Sequence, residues 1–499
     1  MLKTWDIFDT LIARRCVAPH LIFQIIEQKF NIGGFAQARI MAESRVRSRT
    51  LNYNFDDIYN EFQKIVTNVD SNLCQQLKKI ECNTEIEQAI PITENILQVK
   101  AGDILISDMY LPEEIIRKML LKCGLIAPVE ICLTSNGKYT GKIWKQIADQ
   151  NEFVFHVGDN EIVDIKNSRD AGFDSALTIT SRPNIVENYL FQKDFWFASY
   201  LREIRLKNPY QEETKRRYWE LFTLNIGILI ILVQLIDAVQ KKCGFEYLGF
   251  CGRDTYYMWL LYQKFKEDKN EALIPCDYLH YSRKLIHTSQ KEMSKYCSSK
   301  ITGKKSLLID LIGSGTHLNK LREITKLNCA ILMCFRDAQE DIGKRYKIFP
   351  PKNWTLVNTL QDKISNPNLN LCFLNYNASE FDLNRSQENF NKANHNSPIK
   401  LSCVKIGKKN IPNVIFNEIN DIENQDVFEK CIREVLNSHI NWLSNINGGG
   451  YKILEHYEEI FEIYLKPLLT FFTASVNSSL KFQRESIREA VDIQTTLKK

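Results

Sequence analysis

The sequence predicts an α/β protein, in which a Rossmann-like domain with a helical insertion after its first strand is followed by a second α/β domain and a helical C-terminal region. Three observations lead there. Short apolar runs ending in polar residues recur near residues 2–6, 102–108, 131–135 and 153–159, with amphipathic stretches between them, as expected of a parallel sheet flanked by helices. The alternation restarts after residue 246. A chain of 499 residues is too long for one core, and at 44% hydrophobic and 11% aromatic it has the apolar material for more than one.

Taken in order, residues 2–5 form the first strand and deliver Asp6 to its carboxyl end, where open parallel sheets bind ligands. Phe8, Asp9, Thr10 and Leu11 follow at once. Ile22, Ile25, Ile26 and Phe30 then share a helical face that Gly33-Gly34 closes. A second amphipathic run carries Arg39, Ala42 and Glu43, and Phe55-Asp56-Asp57 opens a third helix with acids at its positive end. These helices form an insertion over about residues 14–95. The next strand ends in Ser107-Asp108, after which Pro112-Glu113-Glu114 starts a helix that Gly124 stops. Residues 131–144 give a strand, a loop holding Lys138 and Gly141, and a helix start at Lys142. After the opening, the most specific stretch is 153–165, an apolar strand ending in Gly158-Asp159 with Asp164 five positions on.

These four segments resemble, in order, the four motifs of the haloacid dehalogenase superfamily of hydrolases, and the resemblance covers residues 1 to about 180. The opening Trp-Asp-Ile-Phe-Asp-Thr-Leu, with Arg39, Ala42 and Glu43, is similar to a group of predicted hydrolases often found with genes for surface polysaccharide synthesis. The resemblance implies Asp6 as nucleophile, since counting from Asp6 puts Thr10 at the motif's fourth position, whereas counting from Asp9 puts Ala13 there. It implies Ser107 on a phosphate oxygen and a lysine that neutralises nucleophile and phosphate. Lys138 and Lys142 compete for that role, and the family's spacing to the glycine, here Gly141, favours Lys138. It also implies that Asp6, the Phe8 carbonyl and Asp159 hold Mg²⁺ with Asp164 behind, a donor set suited to a hard cation, and Gly158 is read as letting the backbone approach the metal. The insertion stands where many members carry a cap. One departure is Phe8, at the position where most phosphatases of the superfamily have the Asp that acts as general acid and base. Without it the leaving-group step should slow by about 10² to 10⁴, unless Asp9, Asp108 or a cap residue substitutes.

In the second half, residues 186–218 read as a linker and first helix, and strands are expected to end at Asp254, Arg283, Asp310 and Asp337. If so, Arg253, Asp254, Ser282, Arg283, Asp310 and Thr316 converge on one crevice for a phosphorylated ligand; the alternative is helix caps and ion pairs spread along the sheet edge. The run Gly313-Ser314-Gly315-Thr316 faintly resembles the diphosphate loop of phosphoribosyltransferases, but with one acid where that loop has two; otherwise it is a strand-to-helix turn. Residues 351–410 are rich in Asn, Ser, Lys and Pro and read as loops with little packed core, before helices return over 421–446 and 451–472. The chain thus divides at about residues 185 and 350.

The 65 basic and 60 acidic residues leave a net charge of only +5, which argues against a nucleic-acid partner. Fourteen cysteines without a Cys-x-x-Cys pair read as reduced thiols, and the absence of a signal segment before Asp6 points to the cytoplasm. Residues 221–236 are apolar but short of the about 20 residues a membrane span needs, and Asn225 and Gln234 interrupt them, so a buried core helix is expected.

The function expected is a Mg²⁺-dependent phosphatase acting on a small phosphorylated metabolite, such as a sugar phosphate, through an aspartyl-phosphate. The catalytic set is Asp6, Thr10, Ser107 and Lys138; Asp9, Asp108, Asp254, Arg283, Asp310 and Thr316 bind substrate; Asp6, Phe8, Asp159 and Asp164 serve the metal. The alternatives are an inactive binding or regulatory protein on the same fold, and a transferase with its phosphate site in the second half.

Overall fold

The computed structural model describes residues 2–66, 69–251, 255–279, 290–301, 303–337, 354–360, 368–376, 403–406, 409–412, 422–443 and 450–470. The chain forms two compact units, one of residues 1–188 with 198–211 and one of residues 189–197 with 212–499.

In the first unit β1 (Leu2–Asp6) leads into a short antiparallel ribbon of β2 (Ile12–Arg14) and β3 (Ala89–Pro91), followed by β4 (Ile104–Asp108), β5 (Glu130–Thr134), β6 (Val154–Gly158) and β7 (Asp174–Leu177). All strands except the ribbon lie parallel in one sheet, in the order β5-β4-β1-β6-β7. The order reverses between β1 and β6, and such a reversal opens a crevice beyond the strands' carboxyl ends. Four helices, α1 (Leu21–Phe30), α2 (Phe35–Arg49), α3 (Phe55–Ile65) and α4 (Ser71–Gln88), run between the two ribbon strands. Asn54 and Asp57 form a reciprocal capping box at the start of α3, which satisfies two of its free N–H groups. Arg39 is fully buried among these helices; it pairs with Glu81 at 2.8 Å and lies 4.6 Å from the Phe23 ring. Arg14 on the ribbon holds Glu85 of α4 through two hydrogen bonds of 2.7 and 3.1 Å. Removing either partner of such a buried pair costs about 3–5 kcal/mol, so the first pair holds α2 to α4 and the second holds α4 to the ribbon.

The main segment of the first unit ends at residue 188, close to the boundary expected near 185, but residues 198–211 return to that unit. Arg202 is the reason: it is 1% exposed and donates to the Ser181 carbonyl at 3.0 and 2.8 Å and to the Arg14 carbonyl at 2.8 Å. Arg205 likewise pairs with Glu187 at 2.7 Å and donates to the Thr180 carbonyl.

The second unit is built on β8 (Tyr247–Cys251), β9 (Cys276–Leu279), β10 (Ser306–Gly313), β11 (Cys329–Asp337), β12 (Trp354–Leu356) and β13 (Asn370–Tyr376), parallel in the order β12-β13-β11-β10-β8-β9. Two of these strands lie beyond residue 350, so the boundary expected there would cut through one sheet. β13 also corrects the reading of 351–410 as loops: Leu371, Cys372 and Phe373 are buried, a short apolar run hidden by its asparagine-rich surroundings. Asp310, expected at a strand end, sits inside β10 opposite Met333. The long apolar segment is the helix Glu213–Cys243, long and apolar enough to cross a membrane, with 94% of its most apolar window buried inside the protein. Its buried Asp237 pairs with Lys266 at 2.7 Å and Lys241 at 2.8 Å.

Candidate active site

Asp6 is the last residue of β1, and pairing of Trp5 with Val157 brings the end of β6 level with it. Asp159 follows β6 directly. One carboxylate oxygen each of Asp6, Asp159 and Asp164 lie within 4.8 Å of one another. The Lys138 ammonium stands 2.5 Å from an oxygen of Asp6 and 2.5 Å from one of Asp164, with all three side chains less than 8% exposed. Lys142, the competing lysine, is exposed at the start of the helix Lys142–Ala148.

Local structure explains the placement of Asp164. Asn160 caps the turn after β6 by accepting from the Ile162 and Val163 N–H groups, and the first turn, Glu161–Lys166, is π-helical. The second Asp164 oxygen accepts from the Asn160 N–H at 3.0 Å, and the Ser168 hydroxyl donates to the Asp164 carbonyl. Gly158 makes room for Asp164, since a Cβ there would lie 2.4 Å from the Asp164 Cβ and Cγ. With one oxygen on Lys138 and the other on a backbone N–H, Asp164 orients the lysine, which also holds Asp6, while Asp159 is the half-buried member of the three carboxylates.

Burial is the main force on these groups. It raises Asp6 to about 8, with Lys138 opposing and Asp164 and Asp159 adding repulsion. Asp159 rises to about 6 through burial and the charges of Asp9 and Asp164. For Asp164 the upward push of burial is overcome by the nearby His156 and the charge of Lys138, which bring it to about 2. Lys138 is held charged, because Asp6 and Asp164 outweigh the effect of its burial. One ammonium shared by two carboxylates gives these directions: Asp164 is held down and Asp6 is pushed up. His156 is buried and kept neutral by desolvation, its Nδ1 2.9 Å from the Thr4 hydroxyl and its Nε2 3.5 Å from Asp164.

The loop carrying Lys138 is fixed on several sides. Asp108, expected to bind substrate, accepts from the Lys138 N–H at 3.1 Å, the Tyr139 N–H at 3.2 Å and the Thr134 hydroxyl, so both its oxygens are occupied within the protein. The Lys138 carbonyl accepts from Trp144 Nε1 at 3.1 Å and Asn167 Nδ2 at 3.2 Å. The helical insertion reaches the same loop: Ser135 exchanges hydrogen bonds with the Tyr53 backbone, and Asn136 donates to the Leu51 carbonyl.

The other expected residues are placed as follows. Ser107 is buried one residue past Ile106, the register partner of Asp6. Thr10 is fully buried; its carbonyl accepts from Asn95 Nδ2 at 2.8 Å and its hydroxyl has no hydrogen-bond partner among the described residues. Asp9 adopts a left-handed φ of 59°, and its carboxylate lies 3.8 Å from Arg202. Burial pushes Asp9 up against the opposing charges of Arg202 and Arg14. The Phe8 ring is covered by the Arg14 guanidinium at 4.5 Å. In the second unit the Asp310 carboxylate accepts from the N–H of Leu311, and the Ser314 and Thr316 hydroxyls bond each other at 2.6 Å. Gly315, at φ 76°, lies so close under Trp354 that a Cβ would meet the indole at 2.5 Å. Arg253, Asp254, Ser282 and Arg283 lie outside the described residues.

Sequence reasoning missed His156, Trp144, Asn167 and Arg202. His156 alone carried a signal, as a polar residue inside the apolar strand Val154–Gly158. No family model matches the chain, and no curated protein is significantly similar to it.

Proposed function

We propose that the first unit is a metal-dependent phosphatase of the haloacid dehalogenase type, acting on a small phosphorylated metabolite such as a sugar phosphate. The observation that carries this reading is the meeting of Asp6, Lys138, Asp164 and Asp159 at the carboxyl ends of β1 and β6, where the sheet order reverses. In this reading an Asp6 oxygen attacks phosphorus while the bond to the leaving oxygen breaks, and water then attacks the aspartyl-phosphate to release phosphate and restore the carboxylate. Lys138 balances charge on the nucleophile and the phosphoryl oxygens, Ser107 stands by for one of those oxygens, and the helical insertion serves as the cap.

The donor set fits a hard divalent cation such as Mg²⁺: the site gathers three carboxylates around one ammonium, and both Asp6 and Asp159 are pushed toward holding protons by burial and mutual repulsion. Asp6, Asp159 and the Phe8 carbonyl would hold the ion, which would neutralise charge developing on the phosphoryl group. Hydrolysis of p-nitrophenyl phosphate, with and without Mg²⁺, tests the reading. Metal-dependent turnover lost in Asp6→Asn supports it, and its absence from the parent protein overturns it. A second reading, a phosphate-binding protein without turnover, is favoured by Phe8, which puts a ring covered by Arg14 where a proton donor is expected. Vanadate binding without turnover would select it.

A further inference from the structure

We infer that Asp108 is a positioning residue for Lys138, acting on the site only through the backbone of the loop that carries the lysine; this rests on the reading of Lys138 as the phosphoryl-facing cation. Lys138 must hold its ammonium 2.5 Å from two carboxylates, yet it stands neither in a strand nor in a helix, and a long flexible side chain on a loose loop would not keep that position. Other groups hold the loop's carbonyls and its outer side, and Asp108 holds its amides. It is the last residue of β4, so its backbone is set by the sheet. One of its oxygens accepts from the Lys138 N–H and the Thr134 hydroxyl, and the other from the Tyr139 N–H. Thr134 in turn accepts from the Gly137 N–H at 3.0 Å, so three successive loop amides are tied to this one carboxylate, directly or through a hydroxyl.

The pattern needs an acceptor on both oxygens. Asparagine could serve one side, but its NH₂ would then face a donor on the other, leaving either the Lys138 side or the Tyr139 amide unpaired. No other acceptor side chain bonds the Lys138 or Tyr139 amide among the described residues, whereas the Lys138 carbonyl has three donors in Trp144, Asn167 and the Gly141 N–H.

The test combines a structure with a double-mutant cycle. In crystals of Asp108→Ala, or of Asp108→Asn should the alanine variant fail to fold, the Lys138 ammonium is expected to have left at least one of its two carboxylates. In p-nitrophenyl phosphate hydrolysis with Mg²⁺, Asp108→Ala should lose about 100-fold in kcat/KM, the effect of a displacement of about 1 Å, and Asp108→Asn less. Because Asp108 acts through Lys138, the pair Asp108→Ala/Lys138→Ala should be no slower than Lys138→Ala alone. Additive losses, or a folded Asp108 variant whose ammonium keeps both 2.5 Å contacts, overturn the inference. If the parent protein shows no turnover, the phosphatase reading fails, and the crystal structure by itself decides the role of Asp108.

Discussion

Replacing Gly158 by alanine tests the closest contact at the site. The new Cβ would lie 2.4 Å from the Cβ and Cγ of Asp164, against the about 3.5–4.0 Å at which carbon atoms rest, so something must move by about 1 Å. β6 is held between two neighbouring strands and yields little. Asp164 is the part that moves, and it is the residue that anchors the Lys138 ammonium. Overpacking of this kind costs about 1–3 kcal/mol, and a misplacement of about 1 Å at a reacting centre costs about 100-fold in rate. Urea unfolding followed by circular dichroism should therefore show a lower midpoint at unchanged slope, and metal-dependent turnover should fall by that factor. An unchanged midpoint with full turnover would refute the claim that Asp164 is pressed against the strand.

Asp6→Asn should abolish turnover while leaving the far-ultraviolet spectrum intact, because it exchanges one buried atom; residual activity above a tenth of the parent's would place the nucleophile elsewhere. The metal-free protein should become less stable as pH rises from about 4 to about 8, since Asp6 near 8 and Asp159 near 6 bind protons more tightly folded than unfolded, where the carboxyl value is 3.8. Melting temperatures of the parent relative to Asp6→Asn should show that decline, and Mg²⁺ should remove it; a difference independent of pH would contradict the assignment. A fragment of residues 1–211 should fold, whereas one of residues 1–185 should be insoluble or much less stable, because it lacks Arg202 and Arg205 and leaves the Ser181, Arg14 and Thr180 carbonyls without their donors. Equal stability of the two fragments would show that these arginines contribute nothing.

The sequence alone determined β1, β4, β5 and β6 and the helical insertion between the first two, because each depends on forces acting within about ten residues, namely alternating burial, capping side chains and glycine turns; the ribbon strands β2 and β3 and the edge strand β7 were not foreseen. For the same reason Asp6, Ser107 and Asp159 could be assigned to strand ends from their neighbours alone. Tertiary structure decided which groups meet. The spacing to Gly141 favoured Lys138 over Lys142, but what holds that lysine at Asp6 depends on Asp108, thirty positions earlier, and on Asn167, twenty-nine later. Nor does local pattern tell that Asp164 is the acid that pairs with the lysine, a placement set by the π-helical turn and by Gly158. Arg202 lies 188 positions from the Arg14 carbonyl it bonds, and β13 joins its sheet only because β11 is there to pair with it. Side-chain hydrogen bonds across such separations leave no periodic trace in a chain, because they cost the intervening sequence nothing but the ability to fold back.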